Sequence, residues 1–303
     1  MADRGTPGYL LRILVFWYEN QTMYIRWGSK ISDKFHVTNG VRQGSILSPH
    51  LFKIYVDDLS IILNSFKIGC SVSDLIINHF MCADDIVLIS PSSAGLKRLI
   101  DTCQQYGIQN DIKFNSQKSA ILPVLPDDKK NFITPQFTLN EEIIPIVDNF
   151  KYLGHILSSD GKDDLDIQRQ RKKMYAQGNS ILRKFHMCSV EVKALLFRTY
   201  CTSLYTAHLW TRYTESAFRN FYIAYRNVMK LLIGLPKREH NRPVCVSYDI
   251  PYGPALLRNL IYRFICRLQE SQNMILYTIN KSDCQYDSLL RKKWRSLLYV
   301  YEN

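Results

Sequence analysis

Two adjacent carboxylates, Asp84 and Asp85, sit inside the run His79-Phe80-Met81-Cys82-Ala83-Asp84-Asp85-Ile86-Val87-Leu88-Ile89-Ser90. Apolar runs favour strands, whereas Asp is depleted from strand interiors and welcome in turns, so this pattern predicts the tip of a β-hairpin. Neighbouring like charges repel and lose solvation if partly buried, and a divalent cation would neutralise both. The first chemical expectation is therefore a metal-binding pair. A second pair, Asp57-Asp58, lies where Leu51, Ile54, Tyr55, Leu59 and Ile62 recur at helical spacing, and those two acids are expected on a mostly solvated helix face.

The elements that must position such a hairpin are legible around it. Thr6-Pro7 offers a cap and first-turn proline for a helix through Tyr9, Leu10, Ile13, Leu14 and Trp17, ending near Glu19-Asn20. Met23–Trp27 and Phe35–Val37 alternate like strands around the turn-forming Gly28-Ser29-Lys30. Ser48-Pro49 starts a helix over 51–63, and Leu96, Leu99, Ile100, Cys103 and Tyr106 mark another that stops at Gly107. Ile112-Lys113-Phe114 reads as a strand, 123–148 as peripheral loops and short strands punctuated by proline, and Phe150–Leu157 as a further hairpin arm before the turn at 158–161. Beyond 161 the pattern turns helical. Val192, Leu195, Leu196, Tyr200, Leu204 and Ala207 keep one face, and Phe218, Phe221, Tyr222, Tyr225, Met229 and Leu232 keep another up to Gly234. Arg219, Arg226 and Lys230 align opposite that last stripe.

The charge is distributed unevenly. Residues 1–160 carry 15 Lys and Arg against 16 Asp and Glu, whereas 161–303 carry 24 against 11. A basic second half beside a near-neutral first half suits a protein that holds a polyanion against a site in the first half, though a basic surface can also serve solubility. The eight cysteines include no C-x-x-C pair, so free thiols are expected, and neither His186 nor Cys188 has a second ligand pair nearby. No run approaches ~18 uninterrupted apolar residues and no signal-peptide layout opens the chain, which leads to the expectation of an intracellular, non-membrane protein.

Four segments in order carry a resemblance: Gly40-Val41-Arg42-Gln43-Gly44-Ser45-Ile46-Leu47-Ser48-Pro49, then Phe80-Met81-Cys82-Ala83-Asp84-Asp85, then Asn115-Ser116-Gln117-Lys118, then Tyr152-Leu153-Gly154. Together they resemble the reverse transcriptases of non-LTR (LINE-type) retrotransposons, over about 5–235 and most securely 37–157. The 205–210 and Gly234-Leu235-Pro236 segments look like the region that follows the palm in such elements. The resemblance implies an α+β right-hand polymerase: an antiparallel palm sheet with packed helices, then a helical thumb and a helical C-terminal region. The corresponding parts are partial fingers and palm over 1–160, a thumb-like region over 161–235 and a basic helical extension over 236–303.

By the same resemblance, Asp84 and Asp85 are catalytic carboxylates and ligands of Mg²⁺ or Mn²⁺, with Asp84 the firmer ligand. Arg42, Gln43 and Gly44 face nucleotide and template, Asn115 and Lys118 lie near the triphosphate, and Tyr152, Leu153 and Gly154 position the primer. The partners implied are an RNA template, a DNA primer and deoxynucleoside triphosphates. Cys82 stands where the family usually has Tyr, and a thiol cannot supply an aromatic ring or hydroxyl. The family's first catalytic Asp belongs on a strand before the Thr6-Pro7 helix, in a segment resembling F-x-D-x-x-x-A-F-D, and Asp3 does not match it. The expectation is a domain truncated at its N-terminus, with incomplete fingers and very weak or no polymerase activity on its own. The rival expectations are a non-catalytic nucleic-acid-binding remnant, a decayed frame without function, and, more distantly, a group II intron maturase.

Overall fold

The computed structural model describes residues 1–281 apart from 39, 126–131, 237 and 239, together with 292 and 295. The proline expected to break 123–148 at Pro126, and Cys284, lie outside the described residues. The chain forms two compact units: Met1–Cys70 with Ile76–Ile112, and Ser71–Leu75 with Lys113–Asn303. The turn at 158–161, next to the expected division between 1–160 and 161–235, lies inside the second unit.

The first unit opens with α1 (Gly8–Glu19), capped by Pro7 rather than by a Thr6 side chain. No residue of α1 is buried, and Tyr9, Ile13, Phe16 and Trp17 are all exposed. The next strands form a broken hairpin: β1 (Thr22–Met23) pairs with β4 (Phe35–His36), and β2 (Arg26–Trp27) with β3 (Lys30–Ile31), across Gly28-Ser29. Helix α2 (Ser48–Ser65) follows, with Pro49 in its first turn. After short strands β5 (Cys70–Val72) and β6 (Leu75–Ile77) come β7 (His79–Cys82) and β8 (Asp85–Leu88), and then α3 (Ser93–Gln109). The core of this unit is Val56, Leu59 and Leu63 of α2 against Leu99, Ile100, Cys103 and Tyr106 of α3. Helix α3 runs two residues past Gly107, which is buried within it, and the segment from Ile112 to Phe114 is not a strand. Tyr55 and Ile62, expected on the apolar face of α2, are partly exposed, because the stripe that packs is Val56, Leu59 and Leu63.

The second unit contains β9 (Phe137–Leu139) with β10 (Glu142–Ile144), and β11 (Asn149–Tyr152) with β12 (His155–Ser158), both antiparallel. Its helices are α4 (Asp164–Lys184), α5 (Val190–Leu196), α6 (Glu215–Ile233), α7 (Asn241–Ser247), α8 (Gly253–Glu270) and α9 (Met274–Lys281). An apolar core, built on Ile167, Met174, Phe197, Trp210, Tyr225, Met229, Leu232 and Ile261, joins α4 through α8. Gly178 of α4 lies where any Cβ would collide with the Val228 side chain, so its lack of a side chain sets how closely α4 and α6 approach. Helix α6 is capped at Thr214, whose hydroxyl accepts from the Ala217 amide, and it ends at Gly234 with φ of 77°.

Two expectations fail in this unit for physical reasons. The stripe from Val192 to Ala207 is not one helix: α5 gives way to a π turn over Phe197–Cys201, after which the chain leaves helical geometry. Lys230 does not join Arg219 on an exposed basic stripe, for it is buried among the α6 contacts, and Arg226 is half-buried. Among the described residues no helix is long and apolar enough to cross a membrane.

Candidate functional site

Hairpin β7–β8 pairs Cys82 with Asp85, leaving Ala83 and Asp84 as its two-residue turn. Ala83 has φ of 53°, a left-handed conformation that costs a side-chain-bearing residue roughly 1–2 kcal/mol. Asp84 and Asp85 are both exposed. The hairpin is anchored behind them. Asn78, buried, donates from Nδ2 to the Leu63 carbonyl at 2.6 Å, and its Oδ1 lies 2.7 Å from His79 Nδ1. His79 Nε2 in turn meets Ser60 Oγ at 2.8 Å. Burial lowers the pKa of His79, favouring its neutral form. Hydrogen bonds thus tie the strand that leads to the carboxylates to α2.

Two exposed carboxylates without a cationic partner among the described residues suit a hard divalent ion, which proteins often hold by one or two carboxylates with phosphate and water completing the shell. Among the described residues no group of three or more His, Cys, Asp or Glu gathers into a metal cluster. The donor chemistry of Asp84 and Asp85 fits one such ion, while a pair of ions would need further oxygen ligands. The other acidic pair is engaged elsewhere: Arg4 Nη2 lies 2.7 Å from Asp57 and 3.7 Å from Asp58.

The Arg42 carbonyl accepts from Ser48 Oγ at 2.6 Å, fastening the loop to the start of α2. Gly44 has φ of 82° with open space where a Cβ would stand, and Gln43 beside it is exposed. In the second unit Asn115 has an evident structural task. Its Oδ1 accepts from the Lys118 amide at 3.1 Å, closing a single 3₁₀ turn over Ser116–Lys118 and leaving the Lys118 side chain exposed. Tyr152 pairs with His155 across a turn of Leu153 (φ 44°) and Gly154 (φ 83°). Positive φ at both central residues is the type I′ pattern, for which leucine is a strained choice.

A buried polar network in the second unit has no counterpart in the expectations. Asp166 is fully buried. Its Oδ1 accepts from the Ile156 amide (3.2 Å) and from Arg169 Nε and Nη2 (2.8 and 2.6 Å), and its Oδ2 from Thr206 Oγ1 (2.9 Å) and Trp210 Nε1 (2.8 Å). His155 lies between two acids, with Nδ1 3.2 Å from Asp166 and Nε2 3.5 Å from Asp163. Asp163 Oδ2 also accepts from the amides of Thr211 and Arg212. Burial alone would lower the His155 pKa, but hydrogen bonding to the Asp163 and Asp166 carboxylates, together with their charge, outweighs it and carries it up to about 9. Burial would likewise raise Asp166, yet His155, Trp210 and Arg169 hold its carboxyl well below the usual range. In sequence the only signal is an acidic helix start, Asp163-Asp164-Leu165-Asp166, with Arg169 three residues on.

The chain is α+β, with small antiparallel sheets and an acidic hairpin tip tied by hydrogen bonds to a helix. The match to the reverse transcriptase (RNA-dependent DNA polymerase) family model over residues 5–157, half of the chain, shows that the chain belongs to that family. Reverse transcriptases imply a palm fold and generally use divalent metal ions. Among similar proteins is the retrovirus-related Pol polyprotein from type-1 retrotransposable element R2 of Popillia japonica, 28% identical over 165 residues, covering 52% of this chain and 27% of that protein. The corresponding polyprotein of type-2 element R2DM of Drosophila melanogaster is 32% identical over 137 residues, covering 43% and 13%. The RNA-directed DNA polymerase from mobile element jockey of Drosophila melanogaster is 20% identical over 285 residues, covering 90% and 30%. These relatives agree with a LINE-type reverse transcriptase, and the chain spans between 13% and 30% of their lengths.

Proposed function

We propose that this chain supplies the palm and a helical thumb of an RNA-directed DNA polymerase of a LINE-type element, acting on an RNA template, a DNA primer and deoxynucleoside triphosphates. The observation that carries the reading is the exposed pair Asp84-Asp85, without a cationic partner among the described residues, at the strained tip of β7–β8, inside the family-matched segment. Asp84 and Asp85 would hold Mg²⁺ or Mn²⁺. Such ions, when bound, neutralise the charge that develops on the entering and leaving oxygens.

The chain's own residues perform the rest. Gly44, bare of side chain, lets nucleotide and template approach the backbone, with Arg42 and Gln43 beside it. The Asn115 cap presents the Lys118 side chain to solvent, where a cationic side chain suits triphosphate oxygens. Tyr152, Leu153 and Gly154 form the hairpin tip that positions the primer. The thumb-like part is 161–235 and the basic helical extension 236–303, following partial fingers and palm over 1–160.

Two carboxylates of a catalytic set that acts as a unit leave little activity without the rest, so the 303 residues alone polymerise weakly or not at all. Mg²⁺-dependent primer extension by the purified chain tests this, and robust cDNA synthesis would overturn it. A second reading, nucleic-acid binding without catalysis, is favoured by the excess of 24 basic over 11 acidic residues in 161–303. It requires primer–template binding that weakens steeply with salt and is indifferent to Asp84→Ala.

A further inference from the structure

We propose that Tyr205 is a primer-contacting residue whose ring, laid against the Leu153-Gly154 tip, forms a stacking platform for the last base or sugar of the primer strand. The inference rests on the reading of 152–154 as the primer-positioning segment.

Tyr205 stands out from its own surroundings. Leu204, Thr206 and Ala207 are buried, yet Tyr205 between them is 70% exposed. Its hydroxyl has no hydrogen-bond partner among the described residues, so no polar contact explains its position. Its ring packs toward the hairpin tip: a Cβ placed on Gly154 would lie 3.5 Å from Tyr205 Cδ1 and Cε1. Leu153 beside it is 46% exposed and held at positive φ, a strained conformation that leaves an apolar side chain in water. The π turn over Phe197–Cys201 ends just before this loop, a departure from helical geometry of the kind that recurs near functional sites.

The two sides of this platform are fastened to one buried carboxylate. Asp166 accepts from the Ile156 amide of the hairpin and from the Thr206 hydroxyl and Trp210 indole of the Tyr205 loop. The ring and the tip therefore share one buried anchor, and an exposed aromatic on such a support is the kind of surface on which nucleobases stack in a sequence-tolerant way. Lys151, exposed on the same hairpin, gives the adjoining surface a charge suited to a phosphate backbone. Asp166 acts here as a positioning residue through Thr206.

The experiment uses the 303-residue chain, an RNA template and a DNA primer carrying 2-aminopurine at its 3′ end. Binding of the unaltered chain is expected to change the probe's fluorescence through stacking. Tyr205→Phe is expected to keep that response, whereas Tyr205→Leu, which retains apolar bulk, and Tyr205→Ala are expected to lose it and bind about tenfold more weakly. An unchanged response in both Tyr205→Leu and Tyr205→Ala overturns the proposal. If Leu153→Asp abolishes the response while those two leave it intact, Tyr205 fails and the primer-positioning reading of the tip survives. If the unaltered chain gives no response and Leu153→Asp does not alter binding, that reading fails, and the Tyr205 proposal with it.

Discussion

Replacing Asp166 by asparagine keeps the shape of the side chain but removes its charge and turns one acceptor into a donor. The carboxylate accepts five hydrogen bonds, from Ile156, twice from Arg169, from Thr206 and from Trp210, and it faces His155. An amide can satisfy only one side of that set. If its nitrogen takes the Oδ2 position, the buried Trp210 N–H meets another donor, and if it takes the Oδ1 position, Arg169 does. Leaving a buried donor unpaired costs about 1–3 kcal/mol, and stranding a buried cation about 3–5 kcal/mol. A total loss of about 3–5 kcal/mol follows for Asp166→Asn, read as a lower urea midpoint by roughly 2 M at a typical m-value.

The pH dependence supplies a second signature of the same network. His155 is carried from 6.5 up to about 9, so its contribution is complete below pH 6.5 and is lost as pH rises through about 9. The span corresponds to roughly 3 kcal/mol at full effect. Asp166, held low, contributes above its ordinary carboxylate range and loses that contribution as the solution is acidified through and below it. Stability is therefore expected to peak between about pH 4 and 6.5 and to decline toward pH 9. In Asp166→Asn the alkaline decline should flatten, because His155 has lost one of its two acids. A stability loss under about 1 kcal/mol, or an unaltered slope between pH 6.5 and 9, would refute the network as a folding element.

Gly178→Val is expected to destabilise by about 1–3 kcal/mol despite valine's smaller backbone entropy loss, because its side chain meets Val228; the thermal midpoint measures it. Leu153→Asn replaces a strained residue with one that type I′ turns prefer, so it should stabilise by roughly 1 kcal/mol in urea while weakening primer–template binding. Asn78→Ala removes the Leu63 and His79 contacts and should cost about 1–3 kcal/mol, with faster hydrogen exchange confined to β7–β8. His79 is held neutral, so its share of that anchoring is present above pH 6.5 and fades as pH falls below it. The exposed face of α1 should drive concentration-dependent association that Phe16→Glu reduces, as read by light scattering.

What the sequence made legible follows from how local each cause is. The β7–β8 hairpin could be read because apolar runs flank an acidic turn within ten residues. Helix α6 could be read because its period persists for five turns and closes on Gly234. The apparent helix over 192–207 is misleading because Leu204 and Ala207 keep a helical apolar spacing while the backbone from Thr202 to Thr206 serves a turn. Lys230 was misplaced because helical periodicity does not tell how far around α6 the core extends. Asp166 was invisible as a hub since Thr206 and Trp210 lie about forty residues away, and a helix-start acid is an ordinary capping residue in sequence. Asn115, which the resemblance puts near a triphosphate, also builds the turn that displays Lys118, a local cap visible only in the structure.

The most direct test of the central claim is a Mn²⁺ titration followed by electron paramagnetic resonance, on the chain mixed with primer–template and a deoxynucleoside triphosphate. The account predicts protein-dependent Mn²⁺ binding that disappears when Asp84 and Asp85 are both changed to asparagine. Equal binding by the unaltered chain and that double variant would contradict it.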